Sequence, residues 1–155
     1  MLPAPSGRII NLAVKLIQVR IISYNVNGIR SAMSKGLLQW IDTAKPDVVC
    51  LQEIKATPDQ LPLFEIEMMG YKHYWFPAEK KGYSGVAILS LTEPDNVISG
   101  MDMPVYDAEG RFLRVDFGAL SVVSVYHPSG SSGDERQAFK MQWLADFEDY
   151  VEQLR

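Results

Sequence analysis

Arg20-Ile21-Ile22-Ser23-Tyr24-Asn25-Val26-Asn27-Gly28-Ile29-Arg30 is a short apolar run that breaks abruptly into polar residues, and Val48-Val49-Cys50-Leu51-Gln52-Glu53-Ile54-Lys55 repeats the pattern. Amides, a carboxylate and cations at the ends of two strands can bind a metal, a phosphate or each other. Open α/β sheets hold their ligands just beyond strand ends, so two such ends side by side make one edge of a candidate active site. The polar candidates on that edge are Asn25, Asn27, Arg30, Glu53 and Lys55.

Residues 19–24 are β-branched and apolar on both faces, the pattern of a strand buried on two sides, and Asn27-Gly28 stops them. Leu37, Leu38, Ile41 and Ala44 recur at helical spacing with Pro46 beyond them, which predicts an amphipathic helix over residues 35–44. Residues 47–51 return as a second strand. Thr57-Pro58-Asp59 starts another helix, with Leu63, Ile66 and Met69 on its faces and Gly70 at its end. The runs 71–76, 86–90, 97–101, 111–117 and 120–126 then read as strands between Gly, Pro, Asn and Asp turns, with Phe117-Gly118-Ala119 a tight hairpin. After the loop 127–133, Asp134 is expected to cap a last helix with Gln137 reaching back from the third position. Met141, Leu144, Phe147, Val151 and Leu154 are its expected buried stripe, and it is expected to run to the end of the chain. The strands beginning at Val48 and Leu120 lack polar alternation, which implies cover on both faces. One sheet and one long helix supply too little cover, so the chain is expected to be the N-terminal portion of a larger sandwich.

A chain of 155 residues with 47% apolar content fits one globular domain. The net charge of -4 comes largely from residues 134–155, where six acids face three bases. A divalent ion or a few local cations can still draw a polyanion to such a molecule. The single Cys50 excludes an internal disulfide and fits a reducing, cytoplasmic setting. Residues 1–18 carry Lys15 inside their apolar run and offer no small-residue cleavage site, so they do not read as a secretion signal, and the run is too short for a membrane span. They are set apart as an extension from the domain at 19–155.

Each polar candidate has a chemical and a plain reading. Glu53 can hold a hard cation such as Mg²⁺ with water completing the shell, or be a solvated loop residue. Asn25 and Asn27 can orient water or a phosphate oxygen, or simply form a turn. Arg30 and Lys55 can meet phosphate or be surface cations. Tyr126 closes the last strand, where its hydroxyl can donate to a phosphoryl oxygen or its ring can pack at the sheet border. Tyr74-Trp75-Phe76 can stack on bases or fill a core. His73 and His127 have no Cys or His at zinc spacing, and the Ser/Gly loop at 129–133 lacks the lysine of a phosphate loop.

In combination these residues resemble the exonuclease III family of DNA repair nucleases, within the endonuclease/exonuclease/phosphatase superfamily. Asn25-Val26-Asn27-Gly28-Ile29-Arg30 is similar to its first motif and Leu51-Gln52-Glu53-Ile54-Lys55 to its second. Gly82-Tyr83-Ser84-Gly85-Val86-Ala87-Ile88-Leu89, Glu109-Gly110-Arg111, and Val122 through Gly130 resemble the next three, in order. The resemblance implies a four-layer α/β sandwich, of which the N-terminal half is present, and a Mg²⁺-dependent hydrolase, with Mn²⁺ as the alternative ion. It implies cleavage of double-stranded DNA at abasic sites and at 3′ ends, by a monomer. By position, Glu53 would be the metal ligand, Asn25 part of the metal and catalytic network, and Tyr126 the contact to the scissile phosphate. Asn27, Arg30 and Lys55 would support the substrate or the Glu53 carboxylate. Ile54 stands where the family commonly has Thr, and His127 where an apolar or aromatic residue is frequent. The family's Gly-Asp-x-Asn and Ser-Asp-His motifs do not occur in the chain, so little or no cleavage is expected from it alone. Two other readings stand beside this one: a non-catalytic DNA-binding module, and a related phosphoesterase acting on a non-DNA phosphodiester.

Overall fold

A computed structural model describes residues 18–154, so what the sequence suggested for the segment at 1–17 lies outside the described residues. The first half of the chain forms β1 (Ile21–Asn25), α1 (Ile29–Ser34), α2 (Leu37–Ala44), β2 (Val48–Gln52), a 3-10 turn (Pro58–Gln60) and α3 (Leu63–Met68). The second half forms β3 (Lys72–Phe76), β4 (Val86–Ser90), β5 (Asn96–Ser99), α4 (Pro104–Asp107), β6 (Phe112–Phe117), β7 (Leu120–Val125) and α5 (Asp134–Glu152).

The strands make two sheets, one ordered β1-β2-β4-β3 and one ordered β5-β6-β7. Successive strand residues point to opposite faces, and this alternation sorts the core into layers. From the larger sheet Val49, Leu51, Ala87 and Leu89 pack against Ile29, Leu38, Ile41 and Ile66 of the helices. On its other face Val48, Cys50, Val86 and Ile88 meet Leu113, Val115 and Val122 of the smaller sheet. The far face of that sheet sends Phe112, Val123 and Val125 against Tyr106, Trp143, Phe147 and Tyr150. The order is helices, sheet, sheet, helices: the four-layer α/β sandwich that the family resemblance implied, with two sheets where the strand patterns alone suggested one. No helix among the described residues is long and apolar enough to cross a membrane.

Several local expectations are corrected. β1 is not buried on two faces: among the described residues it pairs only with β2, and Ile21 and Tyr24 are about half exposed at 46% and 48%. β2 and β4 are buried along their whole length, because the helices cover one side and the second sheet the other. In the larger sheet, what the described residues leave uncovered is therefore the β1 edge rather than a whole sheet face. A helix missed in the sequence, α1, places Ile29, Ala32 and Met33 in the core at spacings of three and four, between the breakers Gly28 and Gly36. The helix expected from Thr57 splits in two, since Pro62 separates the 3-10 turn, closed by a Thr57–Gln60 capping box, from α3. α4, also missed, begins at Pro104. α5 is capped by Gly133 rather than by the Asp134 side chain, leaving Asp134 and Glu135 in the first turn where acids suit the helix dipole. Its inward stripe is Phe139, Trp143, Phe147 and Tyr150 with Leu144, whereas Met141 and Leu154 of the expected stripe are exposed. α5 ends at Glu152.

Candidate active site

β1 and β2 run parallel, with Asn25 opposite Gln52, so both strands end at the same edge of the sheet. β4 is antiparallel to β2, with Val86 opposite Gln52, which brings the loop before β4 to that edge as well. Beyond the last paired residues the backbone turns sharply. Asn27, Glu53 and Lys55 all take positive φ, at 45°, 53° and 50°. Non-glycine residues rarely accept this conformation, which costs roughly 1–3 kcal/mol where it occurs and concentrates at functional sites. Surrounding hydrogen bonds hold it in place: Gly28 N–H donates to Glu53 O, Ile29 N–H to Ile54 O, Ile54 N–H to Gly85 O and Lys55 N–H to Ser84 O. Gly85 is required for this closeness, because a Cβ there would lie 2.7 Å from Ile54 Cγ1 and its φ is 83°.

The side chains then converge. Asn25 Nδ2 donates to Glu53 Oε1 at 2.7 Å, and Lys55 Nζ pairs with Glu53 Oε2 at 2.9 Å. Lys55 also donates to Asn27 Oδ1 at 2.5 Å, while Asn27 N–H donates to Asn25 Oδ1 at 3.0 Å. Burial pushes the Glu53 carboxyl up, but hydrogen bonds from Asn25, Lys55 and Tyr126, together with the Lys55 charge, outweigh it and hold the group below its ordinary value. Tyr126 faces the same carboxylate: burial, then hydrogen bonding to Glu53 and its charge, push the phenol up to about 12. The Tyr126 hydroxyl thus keeps its proton at neutral pH and acts as a donor.

The expected residues do not all play equal parts. Asn25, Asn27, Glu53, Lys55 and Tyr126 form one cluster. Arg30, exposed on α1, makes no ion pair among the described residues and instead lines a cavity of about 600 Å³ with Lys55, Lys80, Lys81 and Tyr83. The Asn25 amide has both ends engaged inside the protein, which suits it to orienting Glu53. Among the described residues no three His, Cys, Asp or Glu side chains gather as a ready metal cage. The donor set still fits Mg²⁺, which keeps most of its waters and is usually held by one or two carboxylates plus substrate phosphates.

Two supporting groups lie inside the motif stretches but were not singled out as site residues from the sequence. Gln52 Nε2 donates to Ser124 Oγ at 3.0 Å, and Ser124 Oγ donates to Leu51 O at 3.0 Å, a buried polar tie between the two sheets directly beneath Glu53. Behind Tyr126, Arg111 is 1% exposed and donates through Nη1 to Tyr126 O at 2.9 Å, with its guanidinium 4.9 Å from the Tyr126 ring centroid. A buried cation was the available signal, but nothing in sequence spacing says that Arg111 is buried.

Residues 22–155 match the model of the Endonuclease/Exonuclease/phosphatase family. The chain belongs to this family. Among the family's curated members it is 39% identical over 135 residues to the DNA repair nuclease APEX1 of Danio rerio, covering 86% of this chain and 44% of that one. It is 37% identical to an exodeoxyribonuclease of Bacillus subtilis, covering 88% of this chain and 53% of that one. An AP endonuclease from Archaeoglobus fulgidus superposes with a TM-score of 0.78 at 32% identity, over 88% of this chain and 52% of that one. The exonuclease III branch read from the motifs is thus the branch in which these family members lie. The chain spans about half the length of the relatives it matches.

Proposed function

We propose that this chain is the part of a Mg²⁺-dependent DNA repair nuclease, of the exonuclease III and abasic-site endonuclease type, that binds the metal and the scissile phosphate. The observation that carries the reading is the Glu53 carboxylate, kept ionised at the joint end of β1 and β2 and flanked by the donors Asn25, Lys55 and Tyr126. Names such as DNA repair nuclease, exodeoxyribonuclease and AP endonuclease among the relatives favour double-stranded DNA, at abasic sites or 3′ ends, over a non-DNA phosphodiester.

In this reading Glu53 is the metal ligand, with Asn25 beside it in the metal network and Mn²⁺ an alternative ion. The bound ion supplies charge stabilisation for the phosphoryl oxygens. Asn25 and Lys55 hold the Glu53 carboxylate ionised and aimed outward. Asn27 fixes the Lys55 ammonium. Tyr126, protonated, donates to a non-bridging phosphate oxygen, a contact that strengthens as negative charge grows there. Arg30 and Lys55 meet neighbouring phosphates, where opposite charge draws the strand in a salt-dependent way. The protein acts as a monomer in the cytoplasm, where the buried, unpaired Cys50 stays reduced.

The same reading implies an incomplete site, because the Gly-Asp-x-Asn and Ser-Asp-His motifs that the resemblance calls for do not occur in the chain. A nicking assay on abasic-site duplex in Mg²⁺ is expected to give little or no turnover with the 155-residue chain. Joining it to the remaining part of the Archaeoglobus fulgidus relative is expected to give cleavage. Turnover by the chain alone that vanishes in Glu53→Ala would refute the incompleteness. A folded chimera that binds DNA and never cuts it would favour the binding-module reading.

A further inference from the structure

A second polar cluster stands behind Tyr126, outside the metal edge. Tyr126 lies one residue beyond β7, where regular pairing has ended, and both of its backbone groups are taken by one residue: its N–H donates to Arg111 O at 2.9 Å, and its carbonyl accepts from Arg111 Nη1 at 2.9 Å. The Arg111 guanidinium also lies over the Tyr126 ring. The ring's position is therefore set by a buried cation. That cation is set in turn by Glu109, whose Oε2 accepts from Arg111 Nε at 2.6 Å.

Glu109 is itself held from two directions. On its backbone side, Gly110 sits so tightly that a Cβ would lie 2.6 Å from both Phe76 O and Pro77 C, so this turn cannot slide. On its side-chain side, Arg136 of α5 donates through Nη1 to Glu109 Oε1 at 3.0 Å and through Nη2 to Oε2 at 3.2 Å. Arg111 Nη2 and Arg136 Nη2 both donate to the Tyr83 hydroxyl at 3.2 Å. A forked guanidinium can satisfy both carboxylate oxygens at once, and a lysine cannot. Arg136 is 30% exposed, and Glu109 has a second, more deeply buried counter-charge in Arg111. Beyond its charge, Arg136 adds a fixed orientation of the carboxylate, gripping both oxygens.

We propose that Arg136, acting through Glu109 and Arg111, is a positioning residue for Tyr126. The assignment rests on Tyr126 being the phosphate contact argued above, but its test does not. Two guanidinium groups share one carboxylate, so losing Arg136 leaves Glu109 free to rotate about its Arg111 bond. The Arg111 guanidinium then shifts over the Tyr126 ring.

The measurement is ¹⁹F NMR of the chain labelled with 3-fluorotyrosine, the Tyr126 signal being identified by its loss in Tyr126→Phe. Arg136→Ala is expected to shift and broaden the Tyr126 signal while Tyr24 and Tyr74 stay in place. Arg136→Lys, which keeps the charge and loses the fork, is expected to bring the signal only part of the way back. A Tyr126 signal unmoved in a folded Arg136→Ala chain overturns the proposal, and so does full restoration by Lys, which would make the effect one of charge alone. If Arg136→Ala does not fold, Arg136→Lys decides: a shift confined to Tyr126 and its contact Tyr83 supports the proposal, and an unmoved Tyr126 overturns it. The readout needs neither DNA nor metal, so it can fail while the nuclease reading stands, and the reverse.

Discussion

Glu53→Gln is expected to lower Mg²⁺-dependent cleavage of abasic-site duplex by at least about 10²-fold in the completed nuclease, since losing a single charge-stabilising group of a preorganised site has effects of this order. The amide keeps the shape of the carboxylate and can still accept a hydrogen bond from Asn25 or Lys55, so the fold should be little changed. It cannot offer a hard cation a charged oxygen. It also leaves the Lys55 ammonium, now 2.9 Å from Glu53 Oε2, without its counter-charge. Glu53→Ala should be at least as damaging, because it also frees Asn25 Nδ2, 2.7 Å from Oε1 in the intact site. Steady-state nicking kinetics check this. The loss should fall on kcat and on the apparent Mg²⁺ requirement, with DNA affinity at low salt much less affected, since Arg30 and Lys55 remain.

Glu109→Gln carries the largest expected loss of stability, about 3 kcal/mol, because removing one partner of a buried pair leaves the other charge uncompensated. The Arg111 side chain is 1% exposed and would keep only neutral acceptors: the single amide oxygen of Gln, for which Arg136 competes, the Tyr126 carbonyl and the Tyr83 hydroxyl. Urea denaturation of the variant against the parent chain measures the difference. A pH dependence follows from the same group. Burial raises the Glu109 carboxyl, but hydrogen bonds and charge from Arg136 and Arg111 overcome it and bring it below its ordinary value of 4.5. Glu53 is depressed in the same sense. A carboxyl held lower in the folded state contributes stability that is complete above its unfolded value and lost as pH falls through its folded value. The parent chain should therefore lose stability steeply below about pH 4.5, and Glu109→Gln should flatten that slope.

The parts of the fold legible in the sequence were those fixed by strong local patterns. Val48 to Gln52 is apolar enough that only a strand covered on both faces suits it, and it is one. Gly118-Ala119 joins β6 and β7 by the shortest of loops, with Phe117 paired to Leu120. β1 has a similar composition to β2 and the opposite burial, because being central or at an edge is decided by the order of strands and not by the residues of one strand. The α5 stripe was misplaced for a related reason. Met141 and Leu154 are as apolar as Leu144, but the rotation of the helix is set by Trp143, which stacks on Phe147 at 4.7 Å and meets His127 edge-on at 4.6 Å.

The site divides in the same way. Asn25, Asn27, Glu53 and Lys55 were legible together because each follows an apolar run directly, so a single parallel pairing of two strands brings them to one place. Tyr126 could be named from its motif but not oriented. Its support comes from Glu109, Arg111, Arg136 and Tyr83, residues up to 53 positions apart, on a turn, a strand edge, a helix and a loop. Gln52 and Ser124, 72 positions apart, likewise meet only because two sheets stack. Contacts of that range depend on the layer order, and no spacing rule within the chain gives it.

Metal binding at Glu53 is tested by a Mg²⁺ titration of the chain followed by ¹³C NMR of its glutamate side-chain carboxyls, with Glu53 assigned by its loss in Glu53→Gln. The Glu53 carboxyl is expected to shift saturably, with no comparable shift at Glu109, whose oxygens are held by Arg111 and Arg136. A Glu53 signal that stays in place while Mg²⁺ is raised would contradict metal binding there.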